Sequence, residues 1–405
     1  MKIAVFHNQP SGGARRALHG FVRELSARHL IDIYTLTSAD DEMLHDEDVA
    51  SSVTRVPFAF PSLRRGQLYF NDLRRWQGFR MLAQTNCEVA AIIDTRVYDV
   101  VLVDACRYLG APYILDHLQT PAVYFCHHRL FSIDHASRAP AASRYAWIRD
   151  RVHQPIERRL QRRLWHDDAR LMSRSARILI NSEFSRRRLG DLYKLPGVVC
   201  RYGVDLPRLA AGTKPAGHVL SVGTLEEHKG HHLVVDALAC IPRDRRPRLL
   251  IVANDGNPAV RARLENRARS LEVELLIKML PAQAELDRAY REASLLAFGA
   301  YDEPLGLVVL EAMAHGVPVV AVGEGGVVET VVDGETGYLT RRDAAEMGTR
   351  ISELVADDSL RERMGACGRR SVERHWAWPE RAMQLEAVLA EVAADGAHPT
   401  MRVVA

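Results

Sequence analysis

Two glutamates, Glu303 and Glu311, are separated by seven residues and enclose residue types that suit anion binding. Leu307–Ala314 is apolar apart from Glu311 and predicts a buried helix, and Val317–Val322 predicts a buried parallel strand. A carboxylate inside an apolar helix costs free energy unless it has a partner. We therefore expect Glu311 to face a cleft, with Glu303 just before the helix begins.

The start of this helix is a predicted site for a diphosphate. At about 1.5 Å per residue, Gly306 and Glu311 lie on the order of 7–8 Å apart, which matches the distance between the sugar and ribose ends of a nucleotide-sugar. The N–H groups of Gly306, Leu307 and Val308 would point at the diphosphate, helped by the helix dipole. The alternative is an ordinary amphipathic helix with one acid in its first turn and one stray glutamate.

The pattern E-P-x-G-L-x-x-L-E-A, which begins at Glu303, resembles the E-x7-E signature of the retaining glycosyltransferases of family 4. The resemblance continues in Val327–Leu339 (VVETVVDGETGYL) and upstream, and covers most of the chain. It implies the GT-B fold, in which two doubly wound α/β, Rossmann-like domains face each other across a cleft. It also implies that Glu303 lies by the donor sugar and Glu311 by the ribose.

Length and composition agree with two domains in a cytoplasmic protein. The chain has 405 residues, 47% of them hydrophobic, and two domains of about 180–200 residues are expected. The net charge of +3 is too small to indicate nucleic acid. The sequence lacks a signal-peptide pattern and an apolar run of membrane-spanning length. Six scattered cysteines without a C-x-x-C pair are expected to be reduced.

The predicted domain boundaries follow a shift in composition. Residues 1–205 are expected to form an acceptor-side domain and residues 218–375 a nucleotide-sugar-binding domain. Leu206–Gly217, rich in Pro, Gly and Ala, is the predicted linker. The resemblance implies that a last helix, residues 376–393, crosses back onto the first domain.

Gly12 and Gly13 lie between a predicted strand and a predicted helix, which is a phosphate-binding arrangement. The loop lacks the G-x-G-x-x-G fingerprint of dinucleotide-binding proteins. The alternative is a pair of turn glycines that precede a helix. Because family 4 members often have Gly-Gly-Ala here, the resemblance implies that the loop faces the donor diphosphate or the acceptor.

His127 follows the predicted strand Ala122–Cys126, at the edge where open α/β sheets place ligand residues. It matches the family's active-site histidine, which would contact the donor sugar near the reacting carbon, and His128 is the second choice. The alternative is an ordinary core or surface histidine.

Lys229 and Gly230 match a family pattern, G-R-L followed by K-G, in which the arginine and the lysine bind the diphosphate. Thr224 stands where that arginine is usual. A hydroxyl supplies no charge, so Lys229 is expected to carry more of the neutralisation. A neighbouring arginine is the alternative replacement.

Three further segments have weaker functional signals. Asp46-Glu47-Asp48 and the histidines 228, 231 and 232 have metal-binding residue types, but neither has the expected surroundings, and no metal is predicted. Residues 149–163 are densely basic, which fits a solvated helix face or contact with an anionic membrane surface or a lipid-linked acceptor. Pro281–Glu285 is the predicted base-contacting loop.

Together these patterns predict transfer of a sugar, of the hexosyltransferase type, from a UDP-, GDP- or ADP-sugar to an acceptor hydroxyl. The acceptor is a glycan, a lipid-linked compound or a small molecule, and no cofactor is expected. Retention is implied by the resemblance, with the leaving diphosphate helping to deprotonate the acceptor. The alternatives are nucleotide-sugar binding without transfer, a nucleotide-sugar epimerase and an oxidoreductase. The predicted catalytic residues are Glu303, His127 and Lys229, and the predicted donor-binding residues are Gly12, Gly13, Thr224, Lys229, Gly306, Leu307, Val308 and Glu311.

Overall fold

The computed structural model describes residues 1–10, 12–39, 44–62, 68–127, 154–208, 217–279 and 283–396. The chain forms two compact units. Unit 1 comprises Met1–Ile180, Arg186–Cys200 and Gln384–Ala405, and unit 2 comprises Asn181–Ser185 and Arg201–Met383. Several predicted features lie outside the described residues: His128, positions 149–153 of the basic segment, positions 209–216 of the linker, and positions 281–282 of the base-contacting loop.

A parallel sheet of seven strands, in the order β3-β2-β1-β4-β5-β6-β7, is the centre of the described part of unit 1. The strands β4 and β5 are buried along their whole length. Both faces of a parallel sheet are covered by other elements, so the sequences of these two strands are almost continuously apolar. The strands are β1 (Lys2–Asn8), β2 (Leu30–Leu36), β3 (Ser52–Val56), β4 (Val100–Cys106), β5 (Ala122–Cys126), β6 (Arg177–Ile180) and β7 (Val198–Val199).

Four helices precede or connect these strands in the described sequence: α1 (Gly13–Ser26), α2 (Leu68–Asp94), α3 (Gln154–Met172) and α4 (Glu183–Tyr193). The side chain of Ser182 caps α4 by accepting a hydrogen bond from the Ser185 N–H at 3.1 Å. The last helix of the chain, α11 (Trp378–Asp395), contributes its residues from Gln384 onward to unit 1. There the Gln384 amide donates to the Val199 carbonyl at 2.8 Å.

Unit 2 has a parallel sheet of six described strands in the order β10-β9-β8-β11-β12-β13. Its core is built from Val, Leu, Ile and Ala side chains, and burial of each larger one contributes about 1.5–3 kcal/mol. The strands are β8 (His218–Val222), β9 (Arg248–Ala253), β10 (Leu275–Met279), β11 (Ala293–Phe298), β12 (Val319–Val322) and β13 (Gly337–Thr340). The remaining described helices are α5 (His231–Ala239), α6 (Pro258–Ser270), α7 (Gln283–Glu292), α8 (Leu307–Ala314), α9 (Ala344–Ala356) and α10 (Asp358–His375).

Both sheets are doubly wound, which confirms the predicted α/β class. The apolar segment Pro112–Leu115 predicts a strand from its sequence, and this prediction is wrong, because Tyr113–Asp116 forms a 3-10 helix. The Ile114 N–H there donates to the Asn86 side chain at 3.0 Å instead of to a neighbouring strand. No helix among the described residues combines the length and the hydropathy needed to cross a bilayer. All six cysteines are free, and Cys106, Cys126 and Cys200 are buried.

Candidate active site

The strand order of unit 2 reverses between β8 and β11. Ligands of open α/β sheets bind outside the carboxyl ends of the strands at such a switch point. Lys229 lies in the segment that follows β8, and Glu303 lies in the segment that follows β11. The topology therefore brings two of the predicted catalytic residues to one edge of the sheet.

Lys229 and Glu303 form an ion pair at this edge. The Lys229 Nζ donates to the Glu303 Oε2 at 2.9 Å, and the two side chains are 21% and 16% exposed. The aliphatic part of Lys229 packs against Gly223, where an added Cβ would lie 3.3 Å from the lysine Cγ and Cδ. Partial burial strengthens the attraction between the charges relative to bulk water. The pair places one cation and one carboxylate together at the edge of the sheet.

The segments after β8 and β11 are held together by close backbone contact. Gly230 has a φ of +66°, and a Cβ added there would lie 1.8 Å from the Gly299 carbonyl oxygen. The Tyr301 N–H also donates to the His228 carbonyl at 2.8 Å. These contacts fix the backbone on both sides of the ion pair.

A third segment, which follows β12, contacts the backbone of Glu303. The Gly326 N–H donates to the Glu303 carbonyl at 2.8 Å. Gly325 has a φ of +68°, and a Cβ there would lie 2.5 Å from the same oxygen. Glycine at both positions lets the segment approach the Glu303 backbone.

The helix α8 begins at Leu307, with Gly306 as its N-cap residue. The first N–H groups of a helix have no acceptor within the helix, and this holds for the turn that contains Leu307 and Val308. Glu311, in the middle of α8, accepts a hydrogen bond from the Tyr290 hydroxyl at 2.8 Å. This contact supplies the partner that an acid in an apolar helix requires.

Thr224 is held through its backbone. Its carbonyl accepts from the Glu226 N–H at 2.8 Å and from the His231 Nε2 at 3.3 Å. The other ring nitrogen of His231 lies 3.0 Å from the Ser221 hydroxyl. Burial lowers the pKa of His231 to about 4, so the ring is neutral at pH 7.

The segments with metal-binding residue types are engaged in other contacts. His228 pairs with Glu226, His231 contacts Ser221, and His232 contacts Tyr301. In Asp46-Glu47-Asp48, the first acid pairs with His7 and Arg15 and the second with Arg55. Within the described ranges, no group of three His, Cys, Asp or Glu side chains is placed to hold a metal ion.

Gly12 and Gly13 of unit 1 form the start of α1, with Gly12 as the N-cap residue. A Cβ added to Gly12 would meet no heavy atom of the described residues within 4 Å. The α1 segment is anchored by Arg15, whose guanidinium lies 2.8 Å from Asp46. Burial alone would raise the pKa of Asp46, but the hydrogen bond from His7 and the charge of Arg15 lower it to about 2.

His127 of unit 1 follows β5 and is buried. Its Nε2 donates to the Asp104 Oδ2 at 2.9 Å, and its ring stacks on Phe125 with centroids 4.1 Å apart. The other Asp104 oxygen accepts from the Gln9 side chain, which belongs to the same loop as Gly12. Asp104 therefore joins the loop after β1 to the histidine after β5.

Comparison with solved structures shows how widely this architecture is shared. Sucrose-phosphate synthase from Thermosynechococcus elongatus matches 98% of this chain and 100% of its own, with a TM-score of 0.70 and 20% identity. The Anabaena protein HepE, solved with UDP-glucose, matches 96% of this chain and 100% of its own, with a TM-score of 0.69 and 21% identity. At these identities the likeness establishes the fold, which is GT-B.

Two family models match consecutive parts of the chain. The model described as Glycosyltransferase Family 4 matches residues 11–208, and the model described as Glycosyl transferases group 1 matches residues 213–371. The chain belongs to the GT-B glycosyltransferases of the family 4 type. The resemblance inferred from the motif at Glu303 is thereby confirmed at the level of the family.

This glycosyltransferase also resembles curated proteins over part of its length. It is 36% identical over 182 residues to the D-inositol 3-phosphate glycosyltransferase of Corynebacterium efficiens. That match covers 43% of this chain and 42% of the relative, so it spans less than half of either protein.

Three residues that contact the predicted residues, directly or through one another, were not themselves predicted from the sequence: Gln9 and Asp104 in unit 1, and Tyr290 in unit 2. Asp104 had a usable signal, because it lies near the carboxyl end of β4, where ligand residues collect. Tyr290 had none, because its hydroxyl contacts a residue 21 positions away.

Proposed function

We propose that this protein is a retaining, metal-independent glycosyltransferase of the hexosyltransferase type. In this proposal it moves a sugar from a nucleoside diphosphate sugar to a hydroxyl of an acceptor. The observation that carries the proposal is the Lys229–Glu303 ion pair at the switch point of unit 2, 2.9 Å long and partly buried. Glu303, the acid of this pair, lies four residues before the start of α8.

Each charged group has a separate role in the proposed donor complex. The Lys229 ammonium and the first N–H groups of α8, at Gly306, Leu307 and Val308, bind the diphosphate. Glu303 accepts hydrogen bonds from hydroxyls of the sugar, and Glu311 accepts them from the ribose. Family resemblance also assigns Gly12 and Gly13 to the diphosphate or the acceptor, and His127 to the donor sugar.

The proposed reaction breaks the bond between the anomeric carbon and the diphosphate oxygen. The acceptor oxygen forms its new bond on the same face of the sugar, and its proton passes to the departing diphosphate. Negative charge grows on the diphosphate as the first bond breaks. Lys229 and the backbone amides are fixed before the reaction and stabilise that charge without reorganisation.

Relatives narrow the substrates to be tested first. HepE was solved with UDP-glucose, which supports a UDP-sugar as donor. The curated relative is named for D-inositol 3-phosphate, which supports a phosphorylated polyol among the small-molecule acceptors. A glycan or a lipid-linked acceptor remains the alternative.

The proposal includes peripheral contact with an anionic membrane face on the cytoplasmic side. The helix α3 exposes Arg158, Arg159, Arg162 and Arg163. Clustered arginines near an anionic lipid surface contribute about 1 kcal/mol each. Cosedimentation with vesicles that contain phosphatidylserine, and not with neutral vesicles, is the expected result.

A panel of UDP, GDP and ADP sugars tests donor binding. A donor at 100 times its dissociation constant stabilises the folded protein by about 2.7 kcal/mol, which raises the melting temperature measurably. Transfer to an acceptor, with the anomeric configuration of the product determined by NMR, tests the reaction. A product of inverted configuration would contradict the retaining assignment. Stabilisation by a donor without any turnover would favour a protein that only binds nucleotide sugars, in which Thr224 stands in place of the usual arginine.

We expect Lys229→Ala and Glu303→Ala each to lower kcat about 10²–10³-fold, because each removes a preorganised group from the transition state. Lys278→Ala and Glu335→Ala are matched controls at exposed positions and should keep full activity. Full activity in excess chelator is expected as well. Wild-type turnover by either site variant, or loss of activity in chelator that magnesium restores, would refute this mechanism.

A further inference from the structure

Arg342 lies between β13 and α9, and its guanidinium contacts two neighbouring segments of unit 2. Its guanidinium donates to the Gly299 carbonyl at 2.8 Å and to the Ala300 carbonyl at 2.9 Å. It also forms a two-pronged ion pair with Glu324. The guanidinium carbon lies 3.5 Å from the centre of the Tyr301 ring.

All of these contacts lie on the two segments that flank Glu303. Gly299, Ala300 and Tyr301 form the backbone immediately before it. Glu324 begins the segment whose Gly326 N–H donates to the Glu303 carbonyl. Arg342 therefore holds the Glu303 backbone from both sides without touching its carboxylate in any described contact.

The segment that Arg342 contacts also touches the backbone on both sides of Lys229. The Gly299 carbonyl that accepts from Arg342 is the oxygen against which Gly230 packs. Tyr301, under the guanidinium, donates its N–H to the carbonyl of His228, the residue before Lys229. A shift of the 299–303 segment would thus change the distance between the ammonium and the carboxylate.

We propose that Arg342 is the positioning residue that sets Glu303 against Lys229. At least four hydrogen bonds from the guanidinium go to protein acceptors, so its donors are largely committed to the protein. The planar fork of arginine matches this set of acceptors, whereas the single ammonium of lysine does not. This role rests on the proposed glycosyl transfer, because Glu303 needs its position only if it holds a sugar.

Arg341 provides a matched control. It is the neighbouring residue and has the same side chain, but it is 85% exposed and pairs with Glu346. Arg342→Ala should lower kcat about 10²-fold, the order expected for a misplaced catalytic group, and leave the KM for the donor within about threefold. Arg342→Lys should lie between Arg342→Ala and wild type, and Arg341→Ala should match wild type.

A double-mutant cycle separates positioning from a general loss of structure. If Arg342 acts through Glu303, Arg342→Ala should cost less than about threefold in the Glu303→Ala background, where the carboxylate is already absent. Equal losses in both backgrounds would overturn the proposal.

Amide hydrogen exchange tests the same role without any substrate. In Arg342→Ala and Arg342→Lys, amides of residues 299–303 and 323–326 should exchange at least about tenfold faster than in wild type, while those of β8 remain protected. Unchanged exchange in both variants would overturn the positioning role. If wild type transfers no sugar from any donor, the proposed function fails, and the exchange comparison still decides whether Arg342 holds this segment.

Discussion

Glu311 shows how hydrogen bonding makes a polar residue tolerable inside an apolar helix. Its neighbours Leu310, Ala312 and Met313 are buried, and its carboxylate accepts from the Tyr290 hydroxyl. The Tyr290 ring is itself fully buried and stacks on His315, with centroids 4.9 Å apart. The ring cannot move easily, so the hydroxyl fixes the direction in which the carboxylate points.

The change Tyr290→Phe removes that hydroxyl and keeps the ring. A hydrogen bond to a charged group contributes about 1.5–3 kcal/mol, so we expect the Kd for the donor to rise about tenfold or more if Glu311 binds the ribose. Isothermal titration with the nucleoside diphosphate measures this effect.

Two comparisons make the Tyr290 result specific. Tyr338→Phe is the control, since Tyr338 is half-buried in the same unit and contacts Arg350 instead. A 2′,3′-dideoxy nucleotide should bind both proteins equally, because it lacks the hydroxyls that Glu311 would hold. An unchanged Kd for the ordinary nucleotide in Tyr290→Phe would contradict the ribose assignment.

At the scale of elements, the segments after β8, β11 and β12 come together because glycines remove the side chains between them. The contact between Gly230 and the Gly299 carbonyl leaves no space for a methyl group. Gly334 has a similar backbone angle, with a φ of +76°, but a Cβ added there would meet no described atom within 4 Å. The two glycines therefore separate the cost of the backbone angle from the cost of the close contact.

We expect Gly334→Ala to lower the free energy of unfolding by about 1–2 kcal/mol, the cost of a left-handed backbone angle for an L-residue. Gly230→Ala should cost more and should also lower activity, because relief of the clash must move Lys229 or the segment before Glu303. Urea unfolding and the transfer rate measure the two effects. Equal destabilisation by both changes would show that the close contact contributes nothing.

The sequence predicted most elements well where the pattern is local. The bounds of β5 and α8 agree with the predicted Ala122–Cys126 and Leu307–Ala314. Most of the 27-residue helix α2 was not predicted, since its apolar residues do not follow one helical stripe and Phe70, Leu73 and Trp76 are exposed. The strand β3 is short and half-buried and was also missed.

In the candidate site, too, residues with a local sequence signal were predicted and residues without one were not. Lys229, Glu303 and the start of α8 were predicted because a motif marks them in the sequence. The residues that support them were not, because Tyr290 and Arg342 act through contacts that depend on how distant strands are ordered. Arg342 stands in Arg341-Arg342-Asp343, which in sequence is an ordinary charged turn.

At the scale of the whole molecule, acid should affect the two units differently. Unit 2 contains three histidines whose pKa is lowered chiefly by burial, namely His218, His231 and His315, and unit 1 contains His19. A buried neutral histidine binds no proton where the unfolded chain does, so stability falls as the pH decreases through that interval. For His231 the interval runs from its usual pKa of 6.5 down to about 4.

Unit 1 also has an acid whose stabilising contacts are lost only at lower pH. The pKa of Asp46 is lowered from 3.8 to about 2. Its hydrogen bond with His7 and its ion pair with Arg15 therefore stabilise the folded state through the ionised carboxylate above pH 3.8, and this stabilisation is lost as the pH decreases toward 2. This network should persist in the interval where unit 2 already weakens.

The variant His231→Gln tests this difference. A shift from 6.5 to about 4 corresponds to about 3 kcal/mol at 1.36 kcal/mol per pH unit, so protonation linked to His231 should lower the unfolding free energy of wild-type unit 2 by up to that amount between pH 6.5 and 4. The glutamine does not titrate, so the variant should be less stable at pH 7 but should lose about 2–3 kcal/mol less on acidification. Pulse-labelled hydrogen exchange of β8 peptides during urea unfolding reports on unit 2 alone. The control is His375→Gln, at an exposed position, which should show the same dependence of unfolding free energy on pH as wild type. A variant whose stability falls as steeply as that of wild type would show that the His231 proton is not the group that couples unit 2 to pH.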